Sequence, residues 1–234
     1  MHAPDERRPP VHVLLSGIVG STAYGLAHAG SDIDRLGLFA APTTDFHGLH
    51  RPSESHVTTA PDRTLHEAGK WCRLALNCNP TASELVWLPD DLYEVRTPLG
   101  EELIAVRRSF LSARAVRNSY LGYATQQFRK LSSRDPDDPV SRVRSAKHAR
   151  HLVRLVEQGL ALHETGEVAV RLADPERVRA LGERYAGRPA DAAGLLATAE
   201  ERFDRPGVLP EAPDERPAEA WLRRVRAVHL EAAA

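Results

Sequence analysis

The chain has 234 residues, of which 42% are apolar and 27% charged, an ordinary composition for a globular protein. Its 31 basic and 32 acidic side chains give a formal net charge of -1, so no overall positive field indicates general nucleic-acid binding. The two cysteines, Cys72 and Cys78, lack the spacing of zinc ligands and argue against a disulfide framework. With no membrane-length apolar stretch and no signal-peptide pattern, we expect a cytoplasmic protein.

The first third of the chain is predicted to be rich in strands. Residues 1–10 are polar and proline-rich, which indicates a disordered leader, and residues 11–15 form an apolar run typical of a buried strand. A glycine-containing turn follows, and Ser21 is predicted to cap a short helix over 22–26. Further predicted strands cover 32–40, 57–59 and 63–66, and a helical pattern runs from Glu67 to a stop at Asn79.

The remainder of the chain is predicted to be almost entirely helical. The candidate helices cover 99–107, 112–131, 140–165, 174–186, 189–203 and 217–231, with proline-containing linkers at 134–139 and 205–213. We therefore expect an α/β (α+β) fold: a small mixed β-sheet with flanking helices, and an α-helical C-terminal lobe. The predicted division places the core at 11–97 and a helical lobe packed on it at 98–234.

The segment with the clearest chemistry contains two aspartates separated by one residue. If Asp32 and Asp34 lie on a strand, both project to one face while Ile33 points into the core behind them. Two adjacent carboxylates repel each other unless a cation lies between them, and Mg²⁺ favours a few carboxylates together with water and phosphates. Upstream, Gly20 lets the backbone approach a ligand, and Ser21 opens a helix whose N–H groups suit a phosphate.

A second pattern lies on the predicted helix 140–165. Polar side chains recur there at spacings of three and four residues and share one helical stripe: Arg144, Lys147, His151, Arg154 and Gln158. Such a stripe is suited to phosphate oxygens or is a solvated face. The preceding helix carries Tyr120, Tyr123 and Gln127, which are candidates for the same cleft.

These motifs together resemble the nucleotidyltransferases of the DNA polymerase β superfamily. The Gly20-Ser21 pair, a spacer of about ten residues and Asp32-Ile33-Asp34 resemble the superfamily signature, and the surrounding sequence is similar to the bacterial RlaP-type predicted nucleotidyltransferases. The resemblance extends over most of residues 11–230. Its weaker parts are Lys70, the segments 79–84 and 209–214, and the Lys147-His148 to Arg154 helix.

The resemblance implies a two-metal transfer of a nucleoside monophosphate from an NTP such as ATP to an acceptor hydroxyl, with Mg²⁺ or Mn²⁺ as cofactor. It implies three acidic metal ligands, which would also be catalytic: Asp32, Asp34 and Glu67, with Asp62 as the alternative third acid. It further implies nucleotide-binding residues, and by position these are Gly20, Ser21, Tyr24, Ser31, Lys147, His151 and Arg154. For Glu67 the alternative is a helix N-terminal acid, and for Tyr24 it is core packing.

Two other functions fit the same motifs. One is a catalytically degenerate module that binds nucleotides or regulates a partner, and the other is an antitoxin-like partner protein that retains the fold. The acceptor stays open among an RNA end, a protein and a small molecule, and the sequence leaves the oligomeric state open.

Overall fold

A computed structural model describes residues 12–133 and 138–230. The predicted leader, residue 11, most of the 134–139 linker and the last predicted helical residue lie outside these ranges. The fold-class prediction is confirmed, because the described residues form a five-stranded mixed sheet, flanking helices and a helical C-terminal region.

The sheet is built from five strands in the order β3-β4-β2-β1-β5. Their bounds are β1 His12–Val19, β2 Asp34–Ala40, β3 Ser55–Thr59, β4 Asp62–Glu67 and β5 Tyr93–Arg96. Strand β2 pairs antiparallel with β1 and parallel with β4, while β3 pairs antiparallel with β4 and β5 with β1. The central pair β1–β2 has a continuous apolar stretch on both strands and is buried, as expected for strands covered on both faces.

Nine α-helices are found in the described residues. They are α1 Gly20–Tyr24, α2 Ala68–Leu76, α3 Pro80–Ser83, α4 Pro98–Ala105, α5 Ala113–Ser132, α6 Pro139–Thr165, α7 Pro175–Gly187, α8 Pro189–Phe203 and α9 Glu215–Val228. Proline occupies the first position of α3, α4, α6, α7 and α8, where its missing N–H costs nothing. A polar side chain such as Asp174, which accepts a hydrogen bond from the Arg177 N–H at 2.9 Å, caps most of them. All six helices predicted after residue 98 are present.

Three of the four buried apolar clusters organise the packing of the helices. The largest lies between the sheet and α2, and it also includes Leu99 and Leu103 of α4 and Trp221 of α9. The indole N–H of Trp221 donates to the Leu99 carbonyl oxygen at 2.8 Å, which fixes α9 beside α4. The other two clusters join α5, α6, α7 and α8. Helices α4 and α9, which follow residue 98 in sequence, therefore contribute to the core around the sheet.

Several boundaries differ from the sequence predictions. Strand β2 begins at Asp34 rather than at residue 32, and the Ile33 side chain, 46% exposed, does not point into the core. Strand β1 continues to Val19, so α1 begins directly at Gly20 and Ser21 is inside the helix instead of capping it. Strand β5 was not predicted. Within the described ranges, none of the helices combines the length and the apolarity that crossing a bilayer requires.

Candidate active site

The turn between β1 and α1 positions the first acidic side chain. Gly20 has a positive φ of 68°, and a Cβ atom at this position would collide with the carboxylate oxygen Oδ2 of Asp34. Asp34 is the first residue of β2 and lies opposite Val19 in the β1–β2 ladder. Glycine at position 20 therefore allows the turn to close directly over the Asp34 carboxylate.

Asp32 and Asp34 line one cavity of about 360 Å³. Asp32 precedes the strand and is exposed, whereas Asp34 is half-buried. The residues predicted to bind nucleotide line this cavity as well: Gly20, Ser21, Tyr24, Ser31, Lys147, His151 and Arg154. The structure thus brings the acidic pair together with three members of the α6 stripe, Lys147, His151 and Arg154, across one cleft, which we call the first cavity. The other two members, Arg144 and Gln158, do not line it.

The register of the sheet decides which third acid lies beside the pair. Arg35 of β2 pairs with Arg63 of β4 in parallel register, so Asp34 and Asp62 occupy adjacent positions at the same strand ends. Both line a second cavity of about 410 Å³. Burial raises the pKa of the Asp34 carboxyl, the Asp62 carboxylate raises it further, Lys147 opposes the rise and Asp32 adds to it. Asp62 is therefore electrostatically part of the acidic group.

Glu67, the third acid expected at the metal, lies apart from Asp62. It is the fifth residue after Asp62, which separates the two by about 16 Å along β4 and points their side chains to opposite faces of the sheet. Glu67 is 4% exposed, accepts a hydrogen bond from the Gly69 N–H at 2.8 Å, and is ion-paired with Arg226 at 2.6 Å. These contacts match the alternative interpretation, an acid at a helix N-terminus, since Glu67 caps α2.

The side of the cavity formed by α6 contains both exposed and buried groups. Lys147 is exposed at the cavity, whereas Arg154 is 5% exposed, and its guanidinium lies over the Tyr24 ring at 4.2 Å. Arg154 donates to the Gln158 side-chain oxygen at 2.7 Å. Burial, followed by the charge of Arg154 and its cationic neighbours, lowers the pKa of His151 to about 3, so its imidazole is neutral at pH 7. The exposed positive charge on this side therefore comes from Lys147.

A match to a family model identifies the chain. The model for RlaP, an RNA repair pathway DNA polymerase beta family, matches residues 3–196. The chain belongs to this family. The resemblance stated from the motifs is confirmed, and RlaP membership supports nucleotidyl transfer as the general reaction.

Comparisons with individual proteins add little to the RlaP assignment. The search of curated proteins found no match. Among solved structures, a nucleotidyltransferase-like protein from Exiguobacterium sibiricum 255-15 is 11% identical, with a TM-score of 0.30, covering 93% of this chain and 74% of the other. Since similarity at this level carries no argument, the site is interpreted from its own geometry.

The acidic group of this RlaP protein fits a hard divalent cation. Among the described residues, no three His, Cys, Asp or Glu side chains form a ready-made metal cluster. Mg²⁺, however, commonly takes one or two carboxylates and completes its shell with water and substrate phosphates. The mutual repulsion of Asp32, Asp34 and Asp62, which is expressed in the raised pKa of Asp34, is relieved by a cation. Oxygen ligands and uncompensated negative charge are what Mg²⁺ or Mn²⁺ requires.

The sequence analysis gave no role to two residues at the site. Arg150 lines the first cavity together with Lys147. It was not predicted because it does not fall on the three-and-four spacing that defined the stripe. Glu84 lies beneath the second cavity, fully buried, and accepts a hydrogen bond from the Tyr24 hydroxyl at 2.7 Å. Burial raises the pKa of Glu84 to about 7, and Arg154 and Tyr24 limit the rise. Its place in the 79–84 motif was the available signal.

The predicted cleft residues of α5 divide between the cavity and the core. Tyr123 and Gln127 line the second cavity, whereas Tyr120 is buried in the helical cluster. The Asn79 side chain donates to the Tyr123 hydroxyl oxygen at 2.8 Å, and Gln127 Oε1 lies 2.8 Å from His148 Nδ1. The two α5 side chains are therefore held in place by neighbours on α6 and at the start of α3.

Proposed function

We propose that the protein transfers a nucleoside monophosphate from an NTP to an acceptor hydroxyl. The observation that carries this proposal is the Gly20 turn closing over Asp34, with Asp62 alongside on the neighbouring strand and cationic side chains of α6 across the cavity. Anionic oxygen ligands on one side and cationic phosphate-binding groups on the other are the arrangement that phosphoryl-type transfer needs. The reaction class follows from RlaP membership, and the residue roles below are part of the proposal.

Asp32 and Asp34 would hold the divalent cation, with Asp62 as the third acid in place of Glu67. When bound, the cation supplies positive charge to the phosphates at the position where negative charge develops. The chain holds Asp34 and Asp62 at the starts of the adjacent strands β2 and β4, with Asp32 just before β2. It therefore keeps the three carboxylates close despite their repulsion. The family resemblance favours a mechanism in which these carboxylates hold two divalent cations.

Asp62 would also accept the proton of the attacking hydroxyl. In the transfer the acceptor oxygen forms a bond to the α-phosphorus, and the bond from that phosphorus to pyrophosphate breaks. The hydroxyl proton passes to the Asp62 carboxylate, and pyrophosphate leaves with the bonding electrons. Because Asp62 and Asp34 line the second cavity together, the acceptor is assigned to that cavity and the triphosphate to the first.

The triphosphate side of this proposal has a matched pair of variants. Lys147 lines the first cavity, and Arg144, one turn earlier on the same helix, is exposed and outside it. Lys147→Met is expected to raise KM for the NTP by about 10- to 100-fold, since it removes a charge-assisted contact. Arg144→Met is expected to leave KM within about twofold. Equal effects of the two substitutions in steady-state kinetics would assign the NTP to another surface.

The acceptor is tested by following label. The protein is incubated with each labelled NTP, Mg²⁺ or Mn²⁺, and a total cell extract, and incorporation into RNA, protein and small metabolites is measured separately. Label in one fraction, absent with Asp34→Asn, identifies the acceptor class. Calorimetric binding of magnesium-nucleotide without label transfer or pyrophosphate release would instead support the catalytically degenerate module. A mass gain of one nucleotide on a co-purifying protein would support the antitoxin-like partner.

A further inference from the structure

A polar cluster outside the acidic group joins β3, β4 and α2. Ser55 and His66 are directly opposite in the β3–β4 ladder, and Ser55 Oγ lies 2.8 Å from His66 Nδ1. The ammonium of Lys70, in the first turn of α2, donates to the same Ser55 oxygen at 2.8 Å. The hydroxyl is thus held between an ammonium and an imidazole, and we call Ser55, His66 and Lys70 the edge cluster.

The hydrogen bonds of the edge cluster have one consistent direction. An ammonium only donates, so Ser55 Oγ accepts from Lys70, and its own O–H is free to donate to His66 Nδ1. Burial lowers the pKa of His66 and Lys70 lowers it further, which keeps the imidazole neutral at pH 7 and able to accept there. We assign the remaining ring proton to Nε2, so His66 presents an N–H donor to its surroundings.

The edge cluster is aligned with the acidic group along a single strand. Asp62, Thr64 and His66 alternate along β4, share one face of the sheet, and all line the second cavity. His66 is four residues from Asp62, a separation of about 13 Å along the strand. A molecule with its hydroxyl at Asp62 and its body along this face therefore reaches the edge cluster at its other end.

The positive charge of Lys70 is not balanced by a neighbouring carboxylate. Glu54, which precedes Ser55 in the chain, is ion-paired with Arg73, and Glu67, three residues before Lys70, is ion-paired with Arg226. In the parts of the chain that the structure describes, Lys70 makes no ion pair, and its recorded side-chain bond is to Ser55. Two ammonium N–H groups and the His66 Nε2–H remain for an anion, and three donors suit the several oxygens of a phosphate.

We infer that the edge cluster binds a phosphate of the acceptor, about 13 Å from the hydroxyl that receives the nucleotide. This inference rests on the proposed function, because that function defines the hydroxyl as the group that receives the nucleotide. Binding of the phosphate to the edge cluster requires neither NTP nor metal. A phosphate at this separation belongs to an extended phosphate ester, either a short nucleotide chain or a small phosphorylated molecule. The acceptor is accordingly a phosphorylated one, rather than a neutral sugar or an unmodified protein side chain.

The test measures equilibrium binding without NTP or divalent metal. A fluorescently labelled single-stranded hexaribonucleotide is titrated with the full chain, and glycerol phosphate is used as a competing small phosphate ester. Lys70→Gln is expected to weaken binding of the phosphate ester by about tenfold, since it removes a charge-assisted contact. For the oligonucleotide, the slope of log affinity against log salt falls by about one unit. Lys70→Arg keeps the charge and retains binding to within about threefold.

Matched controls separate the edge cluster from general charge and from the reaction. Arg144→Gln, which removes an exposed charge that lines neither cavity, is expected to leave affinity unchanged. Ser55→Ala keeps the Lys70 charge but removes the hydroxyl that links Lys70 to His66, and it is expected to weaken binding by about threefold. Asp62→Asn abolishes turnover under the proposed function, and the loss of affinity caused by Lys70→Gln is expected to persist in that background. Loss confined to the oligonucleotide assigns a nucleotide chain, and loss of glycerol phosphate binding as well assigns a small phosphate ester. Equal affinity of Lys70→Gln and the unaltered chain for both probes overturns the inference.

Discussion

The close approach of Gly20 to Asp34 makes this glycine a determinant of the acidic site. Gly20→Ala is expected to lower the free energy of unfolding by about 1–2 kcal/mol, because alanine is strained at a positive φ. Its Cβ atom is also expected to displace the Asp34 carboxylate. Gly30 is a matched control because its φ is +89° and its added Cβ would meet no atom within 4 Å. Chemical denaturation and turnover of the two variants test this: equal losses of turnover would contradict the role of the collision.

Glu84 gives the molecule a predictable dependence on pH. Its pKa is raised to about 7 in the folded protein, so between pH 4.5 and 7 the folded state holds a proton that the unfolded state has lost. Stability from this group is therefore full below about pH 4.5 and falls as the pH rises to 7, by about 3 kcal/mol in total.

The measurement for Glu84 is urea denaturation at several pH values. Glu84→Gln, which retains a hydrogen-bonding side chain without titrating, is expected to lose this part of the pH dependence. The difference in unfolding free energy between Glu84→Gln and the unaltered chain should therefore grow in favour of the variant as the pH rises from 4.5 to 7, and level off above that. A constant difference from pH 4.5 to 8 would mean that Glu84 stays ionised when buried.

At the scale of elements, α9 is attached to the sheet through a buried ion pair. Arg226 bonds to Glu67 and lies over the Phe46 ring at 4.1 Å, and the Thr43 N–H donates to the His229 carbonyl oxygen at 2.7 Å. Arg226→Met leaves the Glu67 carboxylate buried without its partner and is expected to cost about 3 kcal/mol of unfolding free energy.

Glu67→Gln is expected to lower stability but to retain turnover per folded molecule. Loss of turnover in a fully folded Glu67→Gln protein would restore Glu67 as the catalytic acid.

The elements themselves were largely predictable because their signals are local. Proline and a capping aspartate mark the starts of α6 and α7, proline alone marks the start of α8, and apolar runs mark β1 and β2. Strand β5, with the sequence Tyr-Glu-Val-Arg, is four residues long and half charged, so its pairing with β1 leaves no apolar signature. It forms because β1 offers a free edge, a feature of the assembled sheet rather than of the segment.

The site was predictable only as far as local patterns reach. The Asp32–Asp34 pair and the α6 stripe are spacings within single segments, and the pair lines the first cavity together with Lys147, His151 and Arg154 of the stripe. The choice between Asp62 and Glu67 depends on the register between β2 and β4, which is fixed by pairing across more than 25 residues of sequence. Burial of Arg154 similarly depends on Tyr24 and Glu84, which come from distant parts of the chain.

In the whole molecule, the cleft lies where the sheet meets the helical region. A buried network connects the sheet and the helical region. It consists of Tyr24 of α1, Glu84 just after α3, and Arg154 of α6, with Arg154 Nη1 3.9 Å from the Glu84 carboxylate. The near-neutral net charge is consistent with positive charge that is local to the cleft, where Lys147 lies. The network holds the cationic side of the cleft at a fixed position relative to the acidic side.

The most direct test of the central claim is pyrophosphate release from NTP, with the acceptor identified by label transfer, in the presence and absence of Mg²⁺. The unaltered chain is expected to release pyrophosphate only with Mg²⁺ or Mn²⁺. Asp34→Asn and Asp62→Asn are each expected to lower kcat by at least about 1000-fold without lowering the melting temperature. Metal-dependent release that persists in folded Asp34→Asn protein would contradict the assignment of the acidic group as the catalytic centre.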